Sequence, residues 1–554
     1  KIDENNKHLT PTTQNYTFHN ETTLHLQTSE DTDDSLSEAV SEKPKKFRRK
    51  TRVYALSGLL ILILSAGIWQ LAVKYDFYNS FKPASDPASK TFQNPSIIIF
   101  PFKYGDLAQE NLGVGLADAL SRKLGNIKRL NVISASTGRL LENEDLEKIT
   151  NELGTVFIVR GTLDKNADNL IISAEMVNSS DGRVVWSESF SDKRGDFFSL
   201  QTLVAERVWT SLGIEPLPME KEQIYRAYTN NQLAYELFLV GRYKMTNRST
   251  ENLRKAVSAF TQALDEDENF ALAYIGLADA YLLLNLYDVT PPPDGYAKAE
   301  QAARKALEID DNLASAHTSL GYIKFFKKRD RTGAELEFRR AIQINPSYAQ
   351  AHHWFSLALS ALKRPAEAIS EAQTAERLDP RSSAVKSALC STYFYARQYE
   401  QGLPACERAI ALNEDFVPAH KTKRWIYQAM GNYEAALATY RREYSYSGGN
   451  NEPGWAIIKS QVEALGENRE KALSDLKLAI ETPEVKNNPF AFAVEIALAF
   501  NALGDKESAL FWLEKSEAAD NHGFNFMAAD PRLENLQNEP RFQALVKKML
   551  VAKN

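Results

Sequence analysis

The sequence predicts a mainly α-helical protein, in which a solenoid of paired helices follows a small α/β domain and one transmembrane helix. Three observations predict this class. Residues 53–73 form an apolar run without a charged side chain. Residues 95–214 alternate short β-type runs with amphipathic stretches. From residue 230 to residue 554 a helical pattern recurs at a nearly constant interval, which is typical of repeat proteins.

The amino-terminal segment, residues 1–52, is predicted to be a disordered tether. Residues 1–42 are rich in Thr, Asn, Ser, Asp and Glu and poor in large apolar side chains. Such a segment buries too little surface to offset the conformational entropy that folding would remove. Residues 43–52, KPKKFRRKTR, are strongly basic.

Residues 53–73, VYALSGLLILILSAGIWQLAV, are predicted to cross a membrane. About 20 apolar residues in a helix span the hydrocarbon core of a bilayer, which is about 30 Å thick. Since basic flanks favour the cytoplasmic side, the tether is predicted to be cytoplasmic and the rest of the chain exported. A cleaved signal peptide and a buried core helix are the alternatives. Residues 79–94 read as a linker rich in Pro and Ser.

Residues 95–214 are predicted to fold as a small domain with a mixed sheet, in the order βαβαβββα. Five runs of this segment are similar to those of a known domain family: IIIFPF, GVGLADALSRKL, NVIS, ELGTVFIVRGTL and DGRVVWSESF. Together they resemble the TolB N-terminal-like domain. These are packing motifs, so the resemblance implies a fold and no catalytic residue.

Residues 230–554 are predicted to be a tetratricopeptide-repeat solenoid with a carboxy-terminal cap. The repeat ends ALEID, AIQINP, AERLDP and AIALN recur along the chain. Their alanines, Ala306, Ala341, Ala375 and Ala409, are separated by 35, 34 and 34 residues. Thirty-four residues is the length of one tetratricopeptide unit of two antiparallel helices. About eight units fit, and DPRLENLQNEPRFQALVKKML resembles the closing segment of such arrays.

A protein or peptide partner is expected in the groove of the array, because first-helix side chains line the concave face of such solenoids. Repeat phase gives six polar or aromatic first-helix candidates. They are Tyr274, His317, His353, Lys386, Arg424 and Lys459.

No catalytic, cofactor or metal site is predicted. The chain has no P-loop, no HExxH and no GxSxG, and the GxG at Gly113 and Gly115 lies inside a helical pattern. The pair His352–His353 points in two directions on one helix, so packing is favoured over metal binding. The net charge of −6 excludes a nucleic-acid-like basic excess over the whole chain. The chain is therefore interpreted as a binding protein, without a cofactor, rather than an enzyme.

The two cysteines, Cys390 and Cys406, fall in opposite helices of one predicted repeat. They are interpreted either as two buried core thiols or as a disulfide across the helix pair. An oxidising compartment would permit the disulfide.

The order of basic tether, membrane helix, TolB-like domain and repeats resembles the bacterial CadC-like transcription regulators. The resemblance implies a single-pass protein of the bacterial inner membrane, with its amino terminus in the cytoplasm and its carboxy-terminal region in the periplasm. It implies a sensor that signals to a cytoplasmic winged-helix domain, and no winged-helix pattern occurs in this chain. DNA is thus expected as a partner only through such an amino-terminal domain, and a homodimer is possible.

Two other functions fit the same residues. One is an envelope scaffold that binds proteins without transcriptional output. The other is the accessory half of a membrane kinase or nucleotide cyclase. The coding sequence upstream of Lys1 would discriminate among the three.

Overall fold

The computed structural model describes residues 94–104, 110–166, 169–192, 197–246, 249–287, 294–446, 452–518 and 522–551. The predicted tether, the predicted transmembrane helix at 53–73 and all but the last residue of the predicted linker lie outside these ranges. Within these ranges, no helix combines the length and the apolar character that crossing a membrane requires. The predicted span is therefore still a sequence-based expectation.

A six-stranded mixed sheet forms the centre of the α/β region. The strand order is β3-β1-β4-β5-β6, and β2 also pairs with β4. Strand β1 is parallel to β3 and β4, whereas β4, β5 and β6 form an antiparallel meander. Its strands are β1 (Ser96–Ile99), β2 (Lys103–Tyr104), β3 (Asn131–Val132), β4 (Phe157–Asn166), β5 (Asn169–Asn178) and β6 (Val184–Asp192).

Both faces of this sheet are covered, which explains the unbroken apolar run of β1. Ile97 and Ile99 pack into the core cluster that also contains the α1 residue Leu116, whereas Ile98 packs into a second cluster with Ile149 of α3. A strand that is buried on both faces needs apolar residues at every position rather than at alternate ones. The helices of this region are α1 (Glu110–Gly125), α2 (Ala135–Leu141), α3 (Leu146–Leu153), α4 (Phe197–Ser211) and α5 (Pro218–Tyr225).

Eight helix pairs follow in the described part of the chain. Their first helices begin at residues 232, 271, 314, 349, 383, 417, 452 and 493. Repeat phase in the sequence predicts unit starts near residues 231, 270, 314, 349, 383, 417, 452 and 488, so only the last differs by more than one residue. The mainly helical, solenoid-like character predicted from the sequence is thus confirmed. The pairs are α6 (Gln232–Thr246) with α7 (Thr250–Glu266), α8 (Ala271–Tyr287) with α9 (Gly295–Ile309), α10 (Ala314–Phe326) with α11 (Arg331–Ile344), α12 (Ala349–Ala361) with α13 (Pro365–Leu378), α14 (Ser383–Tyr395) with α15 (Tyr399–Leu412), α16 (Val417–Ala429) with α17 (Tyr433–Tyr446), α18 (Glu452–Glu463) with α19 (Arg469–Ile480), and α21 (Ala493–Ala502) with α22 (Lys506–Ala518); the short α20 (Pro483–Asn487) precedes the last pair.

Small residues permit the helices of a pair to approach closely. A Cβ atom added to Gly321 of α10 would lie 2.9 Å from the ring of Phe338 on α11. Ala368 and Ala436, small residues on the second helices of later pairs, are fully buried. The recurring small residue is therefore a steric requirement of each pair, and the large apolar neighbour fills the remaining space.

The carboxy-terminal segment turns back onto the middle of the solenoid. This segment contains the 3₁₀ turns His522–Phe526 and Pro531–Leu536 and the helix α23 (Pro540–Met549). The ring of Phe526 stacks on Phe326 of α10 at 5.9 Å and on Tyr395 of α14 at 5.0 Å between centroids. The sequence predicts a cap on the last repeat, and the structure adds contacts of this segment with the third and fifth pairs.

Arg331, the first residue of α11, holds the carboxy-terminal segment against the array. Its guanidinium donates to the carbonyl oxygens of Phe325 at 2.6 Å and Met549 at 2.9 Å, and to Oδ1 of Asn525 at 2.7 Å. Burial, with a smaller effect of Arg329, lowers the pKa of Arg331 to about 10, so it stays charged at neutral pH. Charge-assisted bonds to backbone carbonyls inside the protein are stronger than neutral ones.

Replacing Arg331 with Leu should loosen the carboxy-terminal segment. The change removes the buried bonds to Met549 and Asn525 and leaves their acceptors unpaired, at a cost of about 3 kcal/mol in the free energy of unfolding. Chemical denaturation and limited proteolysis of residues 522–551 measure the effect. Arg304→Leu is the control, since its pair with Glu300 lies on the surface of α9 and should cost less than about 0.5 kcal/mol. Equal effects of the two changes would contradict this assignment.

Candidate functional site

A half-buried ion pair joins the α/β region to the first helix of the solenoid. Asp118 of α1 accepts two bonds from the guanidinium of Arg242 of α6, at 3.0 Å and 3.1 Å. Arg122 adds a third bond at 3.3 Å from one turn further along α1. Burial alone would raise the pKa of Asp118, but the guanidiniums of Arg242 and Arg122 outweigh it and hold the pKa below its ordinary value. The carboxylate is therefore charged at neutral pH.

The same network reaches two more first helices. Arg242 also lies 3.8 Å from the carboxylate of Asp279 on α8, which accepts a bond of 2.9 Å from the hydroxyl of Ser319 on α10. Burial raises the pKa of Asp279 to about 6, because Arg242 and Ser319 offset the loss of water only in part. The pKa values of the carboxyl groups on α1 and α8 thus both depend on the arginine of α6.

A second contact lies at the turn between α13 and α14. Oδ1 of Asp379 accepts bonds from the hydroxyls of Ser134 at 2.5 Å, Thr137 at 2.9 Å and Ser136 at 3.1 Å. The backbone N–H of Ser134 donates to the carbonyl of Leu378 at 2.8 Å. The Asp-Pro sequence that ends a helix of the array therefore also holds the start of α2.

The turns of the array also cover one edge of the sheet. The N–H of Val132, on the short edge strand β3, donates to Oγ of Ser347 at 3.1 Å, and this hydroxyl donates to the carbonyl of Leu130 at 3.2 Å. Arg381, after the next turn, pairs with Glu152 of α3 at 2.6 Å. Edge strands need such partners because their backbone groups are otherwise unpaired.

Between these two contacts lies a cleft of about 530 Å³. We call it the interdomain cleft. Its walls come from α1 and α2 on one side and from the first helices α6, α8, α12 and α14 on the other, and they combine apolar side chains with charged groups. A volume of this size suits a small molecule or a few side chains of a partner. Lining residues include Gly115, Asp118, Arg139, Leu140, Phe238, Arg242, Ile275, Asp279, His353, Trp354 and Asp379.

One of the guanidiniums that line this cleft, that of Arg139, has an unused hydrogen-bond donor. Its Nε atom is buried and has no hydrogen-bond partner among the described residues. Arg242 and Arg381 also line the cleft, but each is paired with a carboxylate, Asp118 and Glu152 respectively. The orphaned donor favours a ligand with an acidic or other acceptor group.

The structure brings one of the six predicted groove residues to the cleft. His353 lines it and lies 3.3 Å from the amide nitrogen of Gln350. Tyr274 packs, half-buried, beside the core cluster of Ala278 and Leu320. Lys459 is a surface residue that pairs with Glu463 one turn along α18, at 3.3 Å.

The other three candidates bond within the array. His317 bridges Glu337 at 2.6 Å and the carbonyl of Asp311 at 3.0 Å. Lys386 pairs with Glu376 at 3.0 Å. Arg424 is fully buried, and its Nε donates to Glu443 at 2.7 Å. These three candidates thus bond between helices of the array, and none of them lines the cleft.

Histidines at one repeat position share a structural role. Like His317, His352 bridges a carboxylate, that of Glu371, at 2.5 Å, and a carbonyl six residues earlier at 2.9 Å. His420 bonds the carbonyl six residues before it at 2.8 Å. Each ring therefore clamps its helix to the preceding turn. Recurrence of histidine at a spacing of one repeat is the sequence signal for this packing role.

Within the described ranges, no group of three or more His, Cys, Asp or Glu side chains is arranged to hold a metal ion. Sequence reasoning missed Asp118, Arg139 and Asp379. No signal in the sequence marks them, because each acquires its role from residues more than a hundred positions away.

Cys390 of α14 and Cys406 of α15 are joined by a disulfide, with their Cα atoms 5.1 Å apart. Both side chains are fully buried against Leu389, Phe394 and Ala405. The bond connects the two helices of the fifth pair.

No protein-family model matches the chain. A protein of Rhizobium meliloti named as an adenylate cyclase is 23% identical over 252 residues, which are 44% of this chain and 43% of that protein. The chain therefore spans less than half of its length. The transcriptional regulator HilA of Salmonella typhimurium is 22% identical over 468 residues, which are 82% of this chain and 79% of HilA.

Solved structures resemble parts of the chain. YrrB, described as a TPR protein with an unusual peptide-binding site, is 21% identical and has a TM-score of 0.24, covering 36% of this chain and all of YrrB. The pilF protein of Pseudomonas aeruginosa is 23% identical with a TM-score of 0.31, over 40% of this chain and 92% of that protein.

Replacing Asp279 with Asn should stabilise the protein near neutral pH. The folded-state pKa of about 6 lies above the ordinary value of 3.8, so the folded state binds the proton more tightly. This contribution to stability is present at low pH and is lost as the pH rises through about 6. Asn keeps the acceptor for Ser319 without the buried charge, so the gain is on the order of 2 kcal/mol at about pH 7.5 and vanishes at about pH 4.

Urea unfolding of the wild type and the variant at the two pH values measures this gain. Asp265→Asn, at an exposed position of α7, is the control and should change little at either pH. An Asp279→Asn effect that is independent of pH would contradict the raised pKa.

Unfolding the protein without a reductant should expose no titratable thiol, because the disulfide persists in the unfolded chain. Closing a loop of this length stabilises a fold by about 3 kcal/mol, so the double change Cys390→Ser and Cys406→Ser should lower the free energy of unfolding by roughly that amount. A count of two free thiols in protein from the native host would contradict the bond.

Proposed function

We propose that this chain is the sensing part of a membrane-anchored regulatory protein, in which the helical array binds a protein or peptide partner and signals to a cytoplasmic DNA-binding output domain. One observation carries the proposal. The interdomain cleft has walls from both the α/β region and the array, so a ligand that enters it contacts both. Such a ligand favours the arrangement of the two parts that it fits best.

The likeness to HilA supports the regulatory reading, because the alignment covers 82% of the chain and so includes residues of both parts. Membrane anchoring rests on the apolar run 53–73 and its basic flank, which also favour a periplasmic position for the array. The disulfide within the array agrees with an oxidising compartment.

The cleft accepts a short segment rather than a long extended peptide. The turns before α12 and α14 contact the α/β region, and the carboxy-terminal ends of α10 and α14 contact the carboxy-terminal segment. Between them, the cleft offers Phe238, Ile275 and Trp354 to apolar side chains and Arg139 to an acceptor group.

A second candidate function is the accessory half of a nucleotide cyclase. It is favoured by the 252-residue likeness to the Rhizobium meliloti protein named as an adenylate cyclase. An envelope scaffold without transcriptional output is the third reading, and it uses the same cleft.

Gene deletion and complementation in the native host test the proposal. The complementing genes encode the wild type, Leu140→Trp and Leu336→Trp. Leu140 is 51% exposed and lines the cleft, whereas Leu336 is 54% exposed on α11 and is not among the cleft residues. A tryptophan at position 140 should fill part of the cleft, and the same change at position 336 should not.

We expect deletion to change the level of a defined set of transcripts. The wild type and Leu336→Trp should restore that set, and Leu140→Trp should not. Unchanged transcript levels after deletion would contradict the regulatory proposal. A fall in cyclic nucleotide without a direct transcript change would favour the cyclase reading.

A further inference from the structure

A second cluster of charges lies far along the array, where α16 meets the carboxy-terminal segment. The ring of Trp425 on α16 lies between two cations. Nζ of Lys421 is 5.1 Å from the ring centroid, and Cζ of Arg532 is 4.5 Å from it. Arg532 belongs to the 3₁₀ turn Pro531–Leu536, so the contact joins two parts of the fold that are distant in sequence.

Lys421 precedes Arg424 by three residues and Trp425 by four on α16, so its side chain neighbours both of theirs on the helix surface. Arg424 is fully buried, and the side chain of Arg532 is 10% exposed. Lys421 and Trp425 are half-buried, so solvent reaches the cluster. We call these four residues the donor cluster.

The donor cluster contains several buried N–H groups without an acceptor. Nη2 of Arg424, Nε1 of Trp425 and Nη1 of Arg532 are buried and have no hydrogen-bond partner in the described part of the chain. Leaving a buried donor unpaired costs on the order of 1 to 3 kcal/mol, and native proteins rarely leave several together. Lys421 and Arg532 both lie against the ring of Trp425, and Arg424 and Arg532 both act electrostatically on Lys421, so the three donors belong to one neighbourhood that an acceptor from outside the chain would satisfy.

The neighbouring carboxylates are already engaged. Glu443 accepts from Nε of Arg424 at 2.7 Å, and Asp530 accepts from Nη2 of Arg532 at 2.6 Å. Both bonds use other nitrogen atoms of the guanidiniums than the orphaned ones. Glu495 accepts from the amide of Gln461 at 2.7 Å.

Lys421 has no hydrogen bond or ion pair with another described residue. Burial lowers the pKa of its ammonium group, with further lowering by Arg424 and Arg532 and an opposing effect of Glu495 and Glu443. The ammonium group is thus a fourth donor, crowded by like charges and without a direct counter-ion.

We infer that the donor cluster binds a small oxyanion, either a carboxylate or a phosphoryl group. The anion would accept hydrogen bonds from Lys421, Arg424, Trp425 and Arg532. Because three of these residues belong to α16 and one to the carboxy-terminal segment, the bound anion stabilises the closure of the solenoid. This site is separate from the interdomain cleft and does not depend on the proposed function.

The site has no net charge, because the three cations Lys421, Arg424 and Arg532 are matched by the carboxylates Glu443, Asp530 and Glu495. Binding of an anion therefore depends on directed N–H donors rather than on excess positive charge. We therefore expect an affinity in the millimolar range, at which the anion stabilises the fold by mass action. The site should select anions over cations, because N–H groups donate hydrogen bonds and cannot coordinate a cation.

Thermal unfolding of the full chain in lipid nanodiscs tests the inference. Sodium phosphate and sodium acetate are titrated separately against sodium chloride at equal ionic strength. We expect phosphate, acetate or both to raise the unfolding temperature above the chloride value. A gain with phosphate alone assigns a phosphoryl ligand, and a gain with acetate alone assigns a carboxylate.

Lys421→Gln should weaken the apparent affinity about tenfold or more, the equivalent of one lost charge-assisted bond. Trp425→Phe keeps the stacked ring and removes only the Nε1–H donor, so it should weaken binding less. Lys423→Gln is the matched control, because Lys423 lies on the same helix and pairs with Glu407 at 3.3 Å instead. It should retain the full anion-dependent gain.

Lys421→Gln should fold, since Lys421 has no described hydrogen bond or ion pair to lose, and without added anion it should be about as stable as the wild type. Identical unfolding temperatures in phosphate, acetate and chloride would overturn the inference, because water would then satisfy the donors. A gain that persists in Lys421→Gln would also overturn it, since the anion would bind elsewhere.

Discussion

The half-buried ion pair between Asp118 and Arg242 orients the two parts of this protein where they meet. Two charges that are largely removed from water are stable only if they are paired in good geometry and their remaining hydrogen-bonding atoms are satisfied. Here the guanidinium meets both oxygens of the carboxylate, and Arg122 and Asp279 complete the network. The pair therefore fixes the position of α1 on α6, and the cleft beside it takes its shape from that position.

From this junction the α/β region reaches across the turns that precede α12 and α14. At the opposite ends of the first helices, the carboxy-terminal segment packs on Phe326 and Tyr395. An array that would otherwise present an open concave face thus uses much of that face for its own chain. The two sites proposed above for ligands are the cleft, which has walls from both parts, and the donor cluster at the closure.

The six groove candidates illustrate what repeat phase can and cannot reveal. Phase places His317, Lys386 and Arg424 on first helices, and the structure does so too. It does not reveal whether a polar residue faces a ligand or a neighbouring helix. Their partners, Glu337, Glu376 and Glu443, lie on second helices, so each of these candidates bonds to a neighbouring helix, and only Arg424 keeps an unused donor.

The sequence by itself determined the helix pairs, their starting points and the covered sheet, because these depend on local periodicity and on small residues that recur in register. The start of α14 at Ser383 is of this kind. Only the tertiary structure decided the functional surfaces. The cleft depends on Asp118 meeting Arg242 and on Asp379 meeting Ser134, and the donor cluster on Arg532 meeting Trp425. These residues lie about a hundred or more positions apart, and no local pattern encodes how distant segments dock.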